Sequence, residues 1–371
     1  MTHTTTTPPE ISMPDGVELR RLVIPQTRDA ADAADFVEMV RARNKIYREI
    51  NGNDDDTNTA DELLPRYQDE KYEQNLLWLL LRGGEAVGRA ILTLPGEQGS
   101  RVAFANIEIL QDAWGHGIGS AAAAVLEREA ADAGRTVLQA WAVHSGDEPQ
   151  RLDAPTGFGT VPLDHTARFL QRRGYALEQI ERKSALPLNA HTHAHVDELL
   201  ADAQRAAVGY RIVQWTAPTP PEYLAGYGLM KERMITDAPA AGIEFDEEVW
   251  DAARIADHEK PYLASGRTLH VTAAQHVESG ELVAFNELVI GADRTETTHQ
   301  EDTLVRADHR GRRLGMLVKC AALHDWREFA PESPRVVTYN AEENRPMLDI
   351  NEAIGFTPVS YNGAWKKTVT A

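Results

Sequence analysis

Two glycine-marked turns of one kind stand about two hundred residues apart, each leading from an apolar strand into an apolar helix. The first is Trp114-Gly115-His116-Gly117-Ile118-Gly119, entered from a run ending in Glu108-Ile109-Leu110 and left through Ser120-Ala121-Ala122. The second is Arg310-Gly311-Arg312-Arg313-Leu314-Gly315, entered from Thr303-Leu304-Val305 and left through Met316-Leu317-Val318. A turn of this sort directs backbone N–H groups outward at the positive end of a helix, where an anion binds readily. Its double occurrence implies a phosphate-binding unit duplicated in tandem, which constrains fold and function together.

The surroundings of the two turns repeat as well. In the first half, helices over 27–50 and 59–72 precede a hairpin, 76–94, whose turn is Gly83-Gly84. A strand at 101–110, the glycine turn with its helix, a strand at 135–143 and a helix at 164–173 closed by Gly174-Tyr175 follow. In the second half a strand at 210–215 leads to helices at 220–234 and 247–257 and a hairpin over 267–291. Then come a strand ending at Val305, the turn and its helix, a strand at 335–339, and a helix at 343–353 closed by Gly355-Phe356. An order of elements that recurs in this way carries more weight than either turn alone.

Composition narrows the classes. A net charge of −19 disfavours a nucleic-acid surface, which needs a dense Lys/Arg face, and favours a cationic second substrate. Cys320, the single cysteine, excludes an intrachain disulfide and a cysteine-based metal cage, and its apolar neighbours predict burial. No apolar run approaches the roughly twenty residues of a membrane span. Residues 1–16, rich in Thr and Pro, read as a disordered tail without the features of a signal peptide, so a cytoplasmic protein is expected. His191, His193 and His195 fall in the Ala/His/Glu-rich stretch 188–208, read as a solvated linker, and no metal site is expected.

These residues resemble the GNAT acetyltransferase superfamily, whose turn Arg/Gln-x-x-Gly-x-Gly/Ala between the fourth strand and the next helix holds the pyrophosphate of acetyl-CoA. The resemblance spans nearly the whole chain as two tandem copies, 17–187 and 209–371, the arrangement of mycothiol synthase and related tandem acetyltransferases. It implies an α/β (α+β) fold of two GNAT domains, each a mixed, mostly antiparallel sheet with splayed fourth and fifth strands flanked by helices. The implied co-substrate is acetyl-CoA, lying between the splayed strands. The first copy has Gly115, Gly117 and Gly119 beyond Ile109, with Trp114 in place of the usual Arg or Gln. The second keeps Arg310, Gly311, Arg312 and Gly315 but has Arg313 at the first glycine position. Asn344 matches the family Asn that bonds the pantetheine amide, and a backbone N–H near Val305 is the implied oxyanion donor. Asn351 stands where the family Tyr protonates the departing thiolate; an amide is no proton donor of useful pKa, though it can hydrogen-bond sulfur. Tyr339 and Tyr361 are substitutes without positional support. The first copy has Leu163 and Leu170 at the Asn and Tyr positions, so chemistry is expected in the C-terminal copy, with the N-terminal one degenerate.

Direct acyl transfer needs an amine made neutral, and a carboxylate beside the splay is the usual remover of the proton. Glu301 and Asp302 hold that place in the second copy and Glu108 in the first. Glu287 on the second hairpin and Asp237 at a helix end are candidate substrate ligands. The reading is an N-acetyltransferase for a small-molecule primary amine, with no nucleic acid or membrane partner and no oligomeric state indicated. A non-catalytic acyl-CoA-binding or sensing module and a protein N-acetyltransferase are the alternatives.

Overall fold

The computed structural model describes residues 11–146 and 148–369. Residues 1–10 of the expected tail therefore lie outside the described residues. In chain order the elements are β1 (Val17–Arg21), α1 (Ala34–Asn51), α2 (Ala60–Gln68), β2 (Glu73–Arg82), β3 (Glu85–Pro95), β4 (Val102–Ile109), α3 (Ile118–Asp132) and β5 (Val137–His144). There follow β6 (Arg151–Asp153), β7 (Thr160–Pro162), α4 (His165–Arg172), β8 (Ala176–Pro187), α5 (Ala190–Ala206), β9 (Tyr210–Thr216), α6 (Leu224–Asp237) and α7 (Ala252–Ala264). The chain continues with β10 (Thr268–His276), β11 (Leu282–Ile290), β12 (Thr298–Val305), α8 (Leu314–Phe329), β13 (Arg335–Ala341), α9 (Arg345–Ile354) and β14 (Thr357–Thr368).

The chain forms two compact units. Among the described residues, the first takes 11–60, 69–140 and 368–369 and the second 61–68, 141–146 and 148–367. In the first unit the strands run in the order β1-β2-β3-β4-β5, all neighbours antiparallel except the parallel pair β4–β5. Strand β2 carries Leu76 to Leu81, every one buried, and α1 buries Phe36, Met39, Val40 and Ile46 at helical spacing. In the second unit the order is β14-β8-β13-β12-β11-β10-β9, again antiparallel except for one parallel pair, β12–β13. Both parallel pairs join the strand before a glycine turn to the strand after its helix, as the two-copy reading requires.

Sequence repeat and compact unit are different divisions of the chain. Strand β8, the last strand of the first repeat, lies between β14 and β13 in the second unit. Residues 190–206 of the stretch read as linker are helix α5. The Asn189 side chain caps it by accepting from the Thr192 N–H at 3.0 Å. Val196, Leu200, Ala203 and Ala207 then bury one helical face in a cluster with Leu317, Cys320 and Ala321 of α8. On a helix, His191, His193 and His195 no longer alternate as an extended chelate. His195 Nε2 instead lies 2.9 Å from the Ala353 carbonyl oxygen.

Strand β11 is buried along its whole length, because its sheet is covered on both faces. Ala284, Leu288 and Ile290 join the cluster under α5 and α8, whereas Phe285 and Val289 join the one formed by α6 and α7 with Tyr227, Met230 and Ile255. Helix α7 starts five residues later than the periodicity indicates, since the Asp251 carboxylate accepts from the Arg254 N–H and defines the cap. A glycine sets how closely the preceding segment approaches α6. A Cβ at Gly228 would stand 2.1 Å from the Trp250 carbonyl oxygen. Gly228→Ala is therefore expected to push that segment off α6 and to cost about 1–3 kcal/mol in urea unfolding, with an unchanged m-value. A variant as stable as the wild type would show that this close approach is not enforced.

Candidate active site

Strands β12 and β13 are hydrogen-bonded over only three positions, Thr298↔Val336, His299↔Val337 and Gln300↔Thr338. Beyond them each strand keeps only its outer partner: Thr303 to Val305 pair with β11, and Tyr339 to Ala341 with β8. The cause lies in the β11–β12 register, where Asn286 opposes Thr303 but Leu288 opposes Gln300. Glu287 thus faces two residues, Glu301 and Asp302, and a bulge of this kind bends its strand. The wedge opens into a cleft of about 830 Å³, lined from within the second unit by β12, β13, β8, the ends of α6 and α8, α7 and α9.

One end of the cleft carries the glycine turn. Gly311 has φ +80°, with no atom within 4 Å of the place a Cβ would occupy, and it lines the cleft with Arg310 and Arg313. Arg313 is the N-cap of α8 and adopts the left-handed conformation (φ 56°, ψ 23°) that Gly117 takes in the first copy (φ 78°, ψ −3°). The chain therefore makes the same turn with either residue, at a cost of about 1–2 kcal/mol for the one with a Cβ. Gly315 owes its identity to packing, as a Cβ there would stand 2.8 Å from Ile350 Cδ1. Arg310 Nε donates to the Val305 carbonyl at 3.2 Å, fixing the guanidinium over the strand end. The structure does not bring Arg312 into the cleft: its guanidinium bonds the Asp308 carbonyl and lies 5.9 Å from the Tyr210 ring. Asn344 lines the cleft at the N-cap of α9, yet its side chain makes no capping bond.

The other end is acidic and aromatic. Lys231 of α6 lies 2.6 Å from Asp302 and 3.2 Å from Glu287, and Tyr227 donates to Glu287 at 2.5 Å. Burial pushes the Glu287 carboxyl up to about 7, the Asp302 charge adding to it against the pull of Lys231. Burial alone would lower Lys231, but the charges of Asp302 and Glu287 outweigh it and keep the ammonium protonated. Glu287 lies beneath the cleft wall, whereas Glu301, Asp302 and Asp237 line the cleft itself. Asn351 is buried as well, 1% exposed, and reaches the site only by donating from Nδ2 to Asn340 Oδ1 at 2.7 Å. Tyr339 lines the cleft and Tyr361 packs with Ala154 and Val161.

Several cleft residues escape a reading based on the repeat. Gln179 and Glu181 arrive from β8, and Phe245, Glu248 and Trp250 from the segment between α6 and α7. Burial pushes the Glu181 carboxyl up, with the Trp141 N–H bond at 2.9 Å opposing and the Glu343 charge reinforcing. His258 of α7 also lines the cleft. The available signal was the spacing Arg254, His258, Tyr262, one face of a helix.

A large parallel-splayed sheet of this order occurring with a duplicated glycine turn decides the architecture. The chain has the tandem GNAT fold. Residues 39–151 match the family model described as Acetyltransferase (GNAT) family. A search of curated proteins finds no match. Among solved structures, the chain resembles a tandem GNAT protein from the clavulanic acid biosynthesis pathway, without AcCoA (TM-score 0.71, 23% identity, 96% of this chain and 99% of that one). A GCN5-related N-acetyltransferase from Sphaerobacter thermophilus follows (TM-score 0.61, 15% identity, 97% and 98%). Saccharomyces cerevisiae N-myristoyltransferase with bound myristoyl-CoA and inhibitors is also similar (TM-score 0.56, 11% identity, 98% and 82%). At such identities the likeness is one of fold, and the GNAT fold supports acyl-CoA-dependent acyl transfer in general.

The first GNAT copy builds its turn in the same way. Trp114 Nε1 donates to the Ile109 carbonyl at 2.9 Å, the counterpart of the Arg310–Val305 bond, each spanning five residues. Gly115 and Gly117 have φ +77° and +78°, and Gly119 lies in the first turn of α3. A Cβ at Gly117 would stand 3.0 Å from Pro14 Cγ, so the segment ahead of β1 lies against this turn. Glu108, the candidate base of this copy, is held by Arg89 at 2.6 and 3.0 Å and by the Tyr47 hydroxyl at 3.0 Å. Burial raises its carboxyl, but the Arg89 charge and hydrogen bonds hold it below the ordinary range.

Glu287 has a folded-state pKa above its unfolded one, so its favourable contribution is present at low pH and lost as the carboxyl ionises. The stability of Glu287→Gln relative to the wild type is therefore expected to improve as pH rises from about 4.5 to about 7. Urea midpoints across that range measure it. A pH-independent difference would mean that Glu287 ionises as readily folded as unfolded.

Proposed function

We propose that this chain is an acetyl-CoA-dependent N-acetyltransferase that acts directly on a primary amine of a small cationic acceptor, in the cleft of the second unit. One observation carries the reading: the divergence of β12 from β13 opens a cleft with a cationic helix-terminal turn at one end and the carboxylates of Asp237, Glu301 and Asp302 at the other. The residues present suit the co-substrate. Backbone N–H groups of the 310–315 turn, at the start of a 16-residue helix, with Arg310 and Arg313, would hold a pyrophosphate. The freed edges of β12 and β13 offer unpaired backbone groups to an extended arm, and the uncapped Asn344 side chain an amide partner. When bound, acetyl-CoA supplies the acyl group as a thioester.

The chain's own residues then position and attract. Glu301, Asp302 and Asp237 draw an ammonium into the acidic end, an effect that the net charge of −19 extends over distance. Lys231 orients Asp302, and buried Glu287 orients Lys231. Asn351 orients Asn340 at the wall. Phe245 and Trp250 supply apolar surface for the acceptor's carbon skeleton. The first copy is read as non-catalytic, because Arg89 and Tyr47 occupy the only carboxylate it could present on β4.

Transfer is direct, without an acyl-enzyme. Cys320 is fully buried on α8, next to Met316, and burial pushes its thiol up to about 12. A protonated, enclosed thiol is neither nucleophilic nor reachable. Cys320→Ala is expected to keep most of its turnover, and the native chain to resist iodoacetamide at pH 8 until it is unfolded. An acetyl group trapped on Cys320 would exclude the direct route.

The test of the function is thiol release from acetyl-CoA with n-butylamine, benzylamine, glycinamide and 1,4-diaminobutane as acceptors. Turnover with at least one amine, and formation of its N-acetyl derivative by mass spectrometry, is expected. Tight acetyl-CoA binding without thiol release from any of them would instead leave a binding protein. Arg310→Ala/Arg313→Ala is expected to raise KM for acetyl-CoA at least about tenfold and to flatten its salt dependence. Arg312→Ala should stay within about twofold of the wild type, since its contacts to the Asp308 carbonyl and the Tyr210 ring lie outside the cleft. Equal effects of the two changes would place the phosphates away from this turn.

A further inference from the structure

His258 stands apart from the paired charges around it. It lines the cleft from α7, and its Nε2 is buried with no hydrogen-bond partner. The ring sits edge-on to two aromatic walls, Trp250 at 5.2 Å and 75° and Tyr262 at 5.6 Å and 68°. A buried imidazole nitrogen left without a partner costs free energy, about 1–3 kcal/mol for an unsatisfied polar group, unless something else meets it. Packing against the two rings fixes the orientation of the imidazole.

The charges facing it come from every adjoining element. Lys231 approaches from α6, its Nζ 5.3 Å from the Trp250 ring, and Arg254 from one turn earlier on α7. Glu248 is bonded to Arg254 at 2.9 Å. From β11 and β12, Glu287 and Asp302 are bonded to Lys231, and Glu301 and Glu287 act on the Tyr262 hydroxyl, which burial keeps protonated. Burial first, and then the charges of Lys231 and Arg254, hold the imidazole well below its ordinary pKa, in the neutral form. A neutral imidazole offers one N–H and one lone pair. Two of the carboxylates nearby are already engaged: Asp302 is bound by an ammonium at 2.6 Å, and Glu287 by a hydroxyl and the same ammonium.

We propose that His258 is the proton acceptor of the transfer reaction. The proposal rests on the N-acetyltransferase reading and deepens it. As the acceptor nitrogen bonds to the thioester carbonyl carbon, the C–S bond breaks with its electron pair on sulfur. One N–H proton passes to the imidazole and returns through solvent to the sulfur, so that amide and free thiol are the products. Glu301 and Asp302 then have the electrostatic task of drawing in the ammonium, which gives up one proton to solvent before its nitrogen attacks, and His258 the proton-transfer task, which contributes about 10²–10⁴-fold in rate for a positioned side chain.

Two measurements on the full chain test this. In ¹⁵N-histidine NMR, with the His258 signals assigned by His258→Gln, the side chain is expected to titrate below the ordinary value of about 6.5. Titration at or above that value would mean that the surroundings stabilise the imidazolium rather than the neutral ring, and would overturn the proposal. In turnover with acetyl-CoA and the fastest amine of the panel above, His258→Gln should lose at least about 100-fold in kcat. Its acetyl-CoA affinity by calorimetry should stay within twofold, and the acid limb of its pH profile should vanish. His258→Asn, with matching circular dichroism and thermal midpoint, guards against a folding defect. Wild-type kcat in a folded His258 variant would remove the proposal alone. No thiol release by the wild type with any amine would remove the function reading, and this proposal with it.

Discussion

A one-residue mismatch between β11 and β12 governs the second unit. Glu287 faces both Glu301 and Asp302, the strand bends, and its parallel partner β13 is lost after three positions. Hydrogen-bonding capacity that a regular sheet would satisfy internally is thereby turned toward a cleft. Burial of β11 on both faces makes the mismatch permanent, because a register slip would exchange Phe285 and Val289 with Ala284 and Leu288 between two filled cores. The same bulge places two carboxylates at the mouth of the splay. Structure and charge at this point have one origin.

The two copies distribute similar charges differently. In the first, the cation is Arg89 on β3, which closes on Glu108 of β4 with Tyr47 of α1 completing a satisfied cluster. In the second, an acid, Glu287, occupies the hairpin strand, and the cation, Lys231, comes from helix α6. That exchange leaves Asp302 with a single ammonium partner and side-chain exposure of 35% against 17% for Glu108. A carboxylate sealed by a bidentate guanidinium cannot also receive a ligand, whereas one held on one side can.

Reading by repeats succeeded where each element is specified by its own residues. Both hairpins, both glycine turns and the helices after them are legible because apolar periodicity and positive-φ glycines are local signals. The limits of α7 and the existence of α5 were not, since Asp251 and Asn189 act as caps only once the following apolar face has something to pack against. Arg313 shows the converse: the sequence marks a missing glycine, yet the surroundings hold the arginine in the glycine conformation. Arg312 lies one residue away and points elsewhere, a difference that spacing cannot express.

By itself, the sequence determined the fold class, the tandem plan and the position of the glycine turns, all set within stretches of ten to twenty residues. Only the tertiary structure decided the acidic and aromatic end of the cleft. Gln179 and Glu181 reach it because β8 pairs with β13 rather than staying with its own repeat. His258 faces it because α7 packs its Arg254–His258–Tyr262 face toward Trp250 and Lys231. Which carboxylates are neutralised was likewise a matter of distance across strands and helices. Charge and hydrogen-bond partners in a low-dielectric interior are fixed by proximity in space, and proximity between residues 231, 258 and 302 has no signature along the chain.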